Sequence, residues 1–252
     1  MLQGRTDVAP AETVPWFDSK VVRIGEVVTA LDAQTHRRCI KTHTPREGIP
    51  WLEDAAYIAV YRHPLDVLFS LRSHTANMKM VAADHPHFLS ADECLKDFVG
   101  RGVDHDAYDE SLLEAIVEHY RSFAQGPDNL LVLHYADMLA DPRTAIERMA
   151  AHMGISPTPA LLDEICAATS FDSMKSRSDQ FAPFAKRDVW HDDQAFFDSG
   201  GTDKWIGKLS ADSIALYQER IGTLLAPQAQ AWLEGGDRAG HPLLDEAHEI
   251  AH

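Results

Sequence analysis

Two short segments of the sequence contain side chains suited to binding an anion and moving a proton. The first is Lys41-Thr42-His43, and the second is Arg62, which directly follows the apolar run Tyr57–Tyr61. Pro64 then begins a stretch whose apolar residues recur at helical spacing, so the pattern predicts a strand, a turn and a helix start. Ligands of open α/β sheets bind beyond the carboxyl ends of strands, near helix N-termini, and we therefore expect Arg62 to meet an anion there.

Each of these side chains also has a purely structural interpretation. Asp66 follows Arg62 by four residues, at the spacing of an ion pair on a helix start. A histidine at a strand end is commonly structural, so His43 by itself does not indicate catalysis. Ser70 lies eight residues after Arg62, about two turns into the predicted helix. Its hydroxyl faces the same ligand only if the turn folds back.

The composition is that of an acidic globular protein. The 252 residues are 45% hydrophobic, which is enough for a sizeable core in one large domain or two small ones, and the formal net charge is −16. This charge argues against nucleic acid as a partner, because phosphate-rich surfaces select basic patches. Any anionic ligand must therefore meet cations that are grouped locally.

Cysteine usage and hydropathy indicate the compartment. The three cysteines, Cys39, Cys94 and Cys166, are far apart and odd in number, which fits neither a disulfide framework nor a CxxC metal site. A cytoplasmic location is the simplest expectation. The sequence has no apolar run as long as a membrane span, and residues 1–15 lack the regions of a signal peptide.

The last five residues, His248-Glu249-Ile250-Ala251-His252, match the HExxH pattern of zinc hydrolases. Such an enzyme needs that helix buried beside a cleft and a third metal ligand, and a polar chain end gives little support for either. A zinc hydrolase is therefore the least favoured of three functional hypotheses, after the two described below. We expect the protein to contain no metal site.

Strands alternate with helices up to about residue 153, which predicts an α/β fold with a parallel sheet flanked by helices. Ser90 and Glu93 have the spacing of a capping box, and Gly154 is placed to close a helix. The predicted strands cover residues 38–42, 57–61 and 128–135. Besides helices that begin at Pro64 and after Ser90, the predicted helices cover residues 24–34, 108–125, 142–153, 160–169, 171–177, 211–225 and 227–233.

The expected organisation is one domain with short extensions. Residues 1–20 form a loop-like lead-in, residues 21–235 a single α/β domain, and residues 236–252 a polar tail.

Five short segments of the sequence, each occurring once, carry further information about function. They are Lys41-Thr42-His43 with Pro45; Arg62 with Asp66 and Ser70; residues 131–142; Thr169-Ser170-Phe171 with Met174-Lys175; and Phe196-Phe197, Gly200-Gly201 and Lys204-Trp205. Together they resemble the motifs of the cytosolic-type sulfotransferases, including bacterial aryl and alkyl sulfotransferases. Each segment alone is weak, but five in the right order are hard to obtain by accident.

This resemblance implies a P-loop NTPase-like sulfotransferase fold and an enzyme that moves a sulfuryl group from 3′-phosphoadenosine 5′-phosphosulfate (PAPS) to a hydroxyl or amine. By resemblance, His43 accepts the proton of the acceptor, and Lys41 neutralises charge on the bridging oxygen of the leaving group. The remaining roles implied by the family concern the nucleotide: Arg62 and Ser70 for the 3′-phosphate, Tyr135, Thr169, Ser170 and Phe171 for the nucleoside, and Lys204 as a further cation.

Two departures from the family pattern stand out. The family's first strand and phosphosulfate loop, of the type Pro-Lys-Ser-Gly-Thr-Thr-Trp, have no counterpart in the sequence. We expect either a truncated sequence or a divergent member, and the second option leads to a non-catalytic sulfotransferase-like binding protein as the alternative function. Where many members carry Arg-Lys-Gly, this sequence has Asp198-Ser199-Gly200, so the cation must come from elsewhere, for which Lys204 is the candidate.

The acceptor is expected to be a small molecule whose identity the sequence does not specify. Variable loops such as residues 78–90 build acceptor pockets in the family and could cover the site. A homodimer is compatible with the sequence, although neither a heptad pattern nor an edge strand indicates one.

Overall fold

The computed structural model describes residues 14–19, 21–104, 112–124, 128–185 and 187–239. The helices, in chain order, are α1 (Ile24–Asp32), α2 (Pro64–Asn77), α3 (Ala91–Gly100), α4 (Leu113–Ala124), α5 (Tyr135–Ala140), α6 (Pro142–His152), α7 (Pro159–Ala168), α8 (Phe171–Ser176), α9 (Ser178–Phe181), α10 (Ala211–Leu224) and α11 (Pro227–Gly235). The strands are β1 (Tyr57–Tyr61) and β2 (Leu130–His134). Short 3₁₀ helices cover Arg46–Gly48, Pro86–Phe88, Gln194–Phe196 and Gly236–Ala239.

The chain divides into two compact units, each assembled from segments distant in sequence. The first unit contains Met1–Thr44, Asn77–Met80 and Ile146–Gly200. The second unit contains Pro45–Ala76, Val81–Ala145 and Gly201–His252.

The second unit contains the sheet. Strands β1 and β2 pair in parallel, with Tyr57 opposite Leu130 and Tyr61 opposite His134. The carboxyl ends of both strands therefore lie at one edge of the sheet, where Arg62 and Tyr135 follow. This parallel sheet with its helices confirms the predicted α/β class.

The core of the second unit forms where the apolar faces of its helices meet β1. Five of the core residues are at most 1% exposed: Leu65, Leu68, Leu95, Tyr217 and Trp232. The apolar faces predicted by the amphipathic pattern of the sequence are therefore buried in this core. The predicted capping box of α3 is confirmed: Ser90 Oγ accepts the Glu93 N–H, and the Glu93 carboxylate accepts the Ser90 N–H.

The first unit has a smaller apolar cluster, in which Ile146, Leu162 and Ile165 are buried. The predicted helices of this unit are confirmed within a few residues, and Gly154 takes a φ of 67° after α6. Glycine adopts that conformation without the steric cost that a Cβ brings, which explains its place at the helix end.

Three features of the secondary structure differ from the predictions, the first being the short helix α9, which was not predicted. Residues 38–42 form no strand, because the backbone after Lys41 bonds to a side chain instead of to a neighbouring strand. Helix α5, directly after β2, was not predicted; the His134 imidazole caps it by accepting the Ala136 N–H. The start of the helix predicted over residues 108–125, most of the lead-in and residues 240–252 lie outside the described residues.

Candidate functional site

In the first unit, Lys41 is attached to the segment around Trp16. The Lys41 N–H donates to the Pro15 carbonyl at 3.0 Å, and the Phe17 N–H donates to the Lys41 carbonyl at 2.8 Å, which makes a single parallel bridge. No ladder follows, since the next N–H on the same edge of the extended backbone, that of His43, bonds to the Asp18 carboxylate at 2.8 Å.

The Asp18 carboxylate accepts four hydrogen bonds. Its Oδ2 accepts from the Thr42 hydroxyl at 2.7 Å, the His43 N–H at 2.8 Å and the Thr44 hydroxyl at 2.8 Å. Its Oδ1 accepts from Trp16 Nε1 at 2.6 Å. Burial by itself would raise the pKa of the Asp18 carboxyl, but these donors together lower it. The carboxylate is therefore ionised at neutral pH.

Trp16 contacts both of the proposed catalytic side chains. The Lys41 Nζ lies 3.9 Å from the centroid of the Trp16 ring, which is a cation–π contact. The His43 ring meets Trp16 edge-on, with 4.7 Å between centroids, and Phe184 stacks at 5.5 Å. An ammonium group and an imidazole thus share one aromatic support, which suits charge neutralisation beside a general base.

The residues predicted to lie on the adenine side, Thr169, Ser170 and Phe171, are found elsewhere in the first unit, at the start of α8. The Thr169 hydroxyl donates to the Ile165 carbonyl at 2.8 Å, and the Ser170 Oγ caps α8 by accepting the Ser173 N–H at 3.3 Å. Both hydroxyls therefore serve the backbone in this structure. The Phe171 ring, half-buried, faces Gly200, where a built Cβ would stand 2.3 Å from the ring.

Gly200→Ala is expected to destabilise the protein, because Gly200 has a φ of 63° and its Cβ would meet the Phe171 ring. We expect the free energy of unfolding to fall by about 2–4 kcal/mol, combining left-handed strain with overpacking. Gly154→Ala is the matched control, since Gly154 has a φ of 67° with nothing within 4 Å. That variant should lose about 1 kcal/mol in the same denaturant titration. Equal losses in the two variants would contradict a ring contact at Gly200.

In the second unit, Arg62 follows β1 and its guanidinium is largely enclosed. Nη2 donates to the Gly201 carbonyl at 2.7 Å, and the guanidinium carbon lies 4.5 Å from the centroid of the Tyr135 ring. The Nε lies 3.8 Å from Asp66 Oδ2, with the Arg62 side chain 16% exposed. This buried Nε makes no hydrogen bond to any described residue, so one donor of the fork keeps unused hydrogen-bonding capacity.

Asp66 holds the chain after Gly201 in place. Its side chain is 1% exposed, and its two oxygens accept the backbone N–H groups of Asp203 at 2.9 Å and Lys204 at 2.7 Å. The ion pair with Arg62 expected from the spacing is therefore present. The Nε that makes this ion pair forms no hydrogen bond within the described part of the chain, so the structural and the ligand-binding interpretations of Arg62 are compatible.

The second unit also contains Ser70, Tyr135 and Trp205, of which Tyr135 contacts Arg62. Ser70 is half-buried in the second turn of α2, and Tyr135 begins α5. The Trp205 ring, which packs against the core, has its centroid 5.4 Å from that of His63. Burial lowers the pKa of the His63 imidazole, although the nearby Glu234 and Asp66 carboxylates act in the opposite direction.

The sequence did not predict Trp16 or Asp18 as members of the site. Asp18 lies 24 to 26 residues before the hydroxyls and the N–H that it binds, and no spacing rule links them. An acidic residue two positions after a tryptophan is the only local signal, and that pattern is common on protein surfaces.

Within the ranges that the structure describes, no group of three or more His, Cys, Asp or Glu residues is placed to hold a metal ion. The HExxH residues 248–252 lie outside those ranges. No described helix combines the length and the apolar character that crossing a membrane requires.

Comparison with protein families and curated proteins gives consistent matches. A family model described as a sulfotransferase domain matches residues 5–229. A glycolipid sulfotransferase of Mycobacterium bovis (strain BCG / Pasteur 1173P2) is 30% identical over 268 residues, covering 92% of this chain and 80% of the relative. Human sulfotransferase 1E1 is 25% identical over 168 residues, covering 65% and 53% of the two chains.

Solved structures share the fold at lower sequence identity. A mouse sulfotransferase, SULT7A1, complexed with PAP has a TM-score of 0.65 and 18% identity, covering 86% of this chain and 76% of that chain. A retinol dehydratase in complex with androsterone and the inactive cofactor PAP also has a TM-score of 0.65, with 20% identity over 81% and 58% of the two chains. At these identities the likeness concerns the fold.

Proposed function

The chain belongs to the sulfotransferase domain family, and from this membership we propose that it transfers the sulfuryl group of PAPS to a hydroxyl of a glycolipid. The observation that carries the proposal is the 30% identity to a glycolipid sulfotransferase across 92% of the chain. The reaction class follows from the family, and the acceptor class from this relative.

We propose that Lys41 and His43 carry the chemistry. Sulfuryl transfer, like phosphoryl transfer, passes through a loose in-line transition state, in which positioning and charge neutralisation supply most of the rate. The His43 imidazole accepts the acceptor's hydroxyl proton as the oxygen attacks sulfur. The Lys41 ammonium offsets the negative charge that grows on the bridging oxygen as the bond from sulfur to PAP breaks. The shared contact with Trp16 supports these two roles.

Arg62 is proposed to bind the 3′-phosphate of the nucleotide, with Ser70 as a second donor. The Arg62 Nε supports this role: it lies 3.8 Å from Asp66 Oδ2 but makes no hydrogen bond to a described residue, and a guanidinium fork binds phosphate through two parallel hydrogen bonds. Tyr135 lies against the same guanidinium. Thr169, Ser170 and Phe171 are proposed to shape the nucleoside pocket.

The cations that replace the family's Arg-Lys pair are proposed to be Lys204 and Lys175. The backbone of Lys204 is fixed by Asp66. In the first unit, Lys175 lies 5.5 Å from the Phe171 ring centroid and donates to the Asp198 carbonyl at 3.5 Å. A positive charge thus stands beside the stretch that carries Asp198 in place of a cation.

The acceptor loop, the compartment and the assembly remain predictions. The loop of residues 78–90 is proposed to contact the acceptor, and the cysteine pattern favours the cytoplasm. Homodimerisation is proposed with no residue assigned to it.

The proposal is tested with ³⁵S-labelled PAPS and octyl β-glucoside, a simple glycolipid, as the acceptor. We expect labelled octyl glucoside sulfate to form in step with PAP. Calorimetric titration should show that PAP binds more tightly than 5′-AMP, since only PAP carries the 3′-phosphate. If PAP binds but neither octyl glucoside nor a panel of phenol, sterol and amine acceptors is labelled, the non-catalytic alternative holds. Labelling of phenols alone would refute the glycolipid assignment.

A further inference from the structure

We infer that Asp18 is a positioning residue, whose carboxylate fixes both the backbone of His43 and the aromatic surface on which His43 and Lys41 lie. The inference rests on the proposed function, because it assigns a role to Asp18 in the same reaction. It concerns contacts within the first unit.

The first step of the argument is the direction of the four hydrogen bonds. Three donors converge on Oδ2 from the consecutive residues Thr42, His43 and Thr44. The Thr42 hydroxyl also accepts the Thr44 N–H at 2.9 Å, which closes a local turn around His43. Since the His43 N–H lies inside this turn, the path of its Cα–Cβ bond is set by Asp18.

The second step concerns Oδ1, which accepts Trp16 Nε1 at 2.6 Å. The indole is therefore held by the same carboxylate that holds the His43 backbone. Because the indole contacts the Lys41 ammonium and the His43 ring, one group sets the position of both side chains. A carboxylate suits this place, since it accepts on both oxygens and donates on neither.

The variant Asp18→Asn tests the role with little change of shape. The one remaining oxygen of the introduced amide can accept from the three donors of Thr42, His43 and Thr44. Its NH₂ group then faces the Trp16 N–H, and because both groups are donors, no hydrogen bond forms between them. We expect kcat for octyl glucoside to fall by about 10- to 100-fold, while the KM for PAPS stays within about twofold, because a small displacement of a catalytic group costs rate.

Trp16→Phe provides the decisive second variant, since it keeps an aromatic surface and removes the opposing N–H. The double variant Trp16→Phe/Asp18→Asn is expected to have a higher kcat than Asp18→Asn alone. Asp141→Asn is the matched control. The Asp141 carboxylate accepts the Thr144 N–H and hydroxyl at 3.0 and 2.8 Å, and its pKa is also lowered, mainly by the hydrogen bond from the Thr144 backbone N–H. It should leave kcat unchanged.

An NMR measurement separates the inference from the proposed function. The His43 amide proton should resonate at low field in the wild-type protein, as expected for a donor to a carboxylate at 2.8 Å, and move upfield in Asp18→Asn. A wild-type protein without transfer activity contradicts the proposed function, and the amide shift still decides the contact. The positioning role is overturned by an unmoved amide, by an Asp18→Asn kcat within twofold of wild type, or by a double variant no faster than Asp18→Asn.

Discussion

His43→Ala is expected to lower kcat for sulfuryl transfer by about 100- to 10,000-fold, the range measured for removing a general base. PAP affinity should stay within about twofold, because His43 is proposed to act on the acceptor proton and not on the nucleotide. The measurement is the initial rate of octyl glucoside labelling at saturating PAPS, with calorimetry of PAP binding on the same sample.

A loss of rate in His43→Ala also has a structural explanation, since the ring contacts Trp16. His191→Ala is the control for removing an imidazole from the first unit: His191 is exposed, and its backbone N–H bond to the Asn77 carbonyl does not need the side chain. It should keep full activity. His43→Ala with more than a tenth of the wild-type kcat would refute the assignment of His43 as the base.

Arg62→Ala is expected to weaken PAP binding by about 100-fold or more, since hydrogen bonds to a charged group are worth about 1.5–3 kcal/mol each. Binding of 5′-AMP should change much less, so the preference for PAP should disappear. The comparison of the two ligands by calorimetry isolates the 3′-phosphate from the rest of the nucleotide.

Arg62→Ala also removes the cation next to buried Asp66, which is 1% exposed, so a loss of stability is expected. Arg62→Lys separates the two effects, because lysine keeps the charge for Asp66 but lacks the planar fork. We expect it to recover stability and to bind PAP at least about tenfold more weakly than wild type.

Arg72→Ala is the control for the loss of an arginine from α2. Arg72 donates to the Ser90 and Leu89 carbonyls at 3.2 and 2.9 Å and has no proposed role in binding. Its PAP affinity should match that of the wild type. If Arg62→Ala and Arg72→Ala weaken PAP binding equally, Arg62 has no specific contact with the 3′-phosphate.

The sequence predicted the strand, turn and helix around Arg62 because that signal is local. A short apolar run, a proline at the first helical position and helical periodicity all lie within about twenty residues. The capping box at Ser90 and the helix end at Gly154 were predicted for the same reason. In each case the residues that make the contact are within a few positions of each other.

The parts that the sequence did not predict depend on distant partners. Residues 38–42 have the composition of a strand, but a strand forms only where several backbone groups in a row pair with a neighbour. Here the Lys41 backbone makes a single bridge, to the segment around Trp16, and the following His43 N–H bonds to the Asp18 carboxylate. Helix α5 begins directly after β2, with no glycine or proline between them, so the sequence pattern did not indicate where the strand ends and the helix begins. The family resemblance indicated Lys41 and His43 as the proposed catalytic residues. Their contacts with Trp16 and Asp18 are seen only in the three-dimensional structure.

The contacts of Asp18 and those of Arg62 close chain loops of very different lengths. Asp18 binds residues 24 to 26 positions later, whereas Arg62 binds the Gly201 carbonyl 139 positions later. Loop-closure entropy grows with the logarithm of loop length, so the longer contact costs about 1.5 kcal/mol more in chain entropy. During refolding, the turn around His43 is therefore expected to form before Arg62 reaches Gly201.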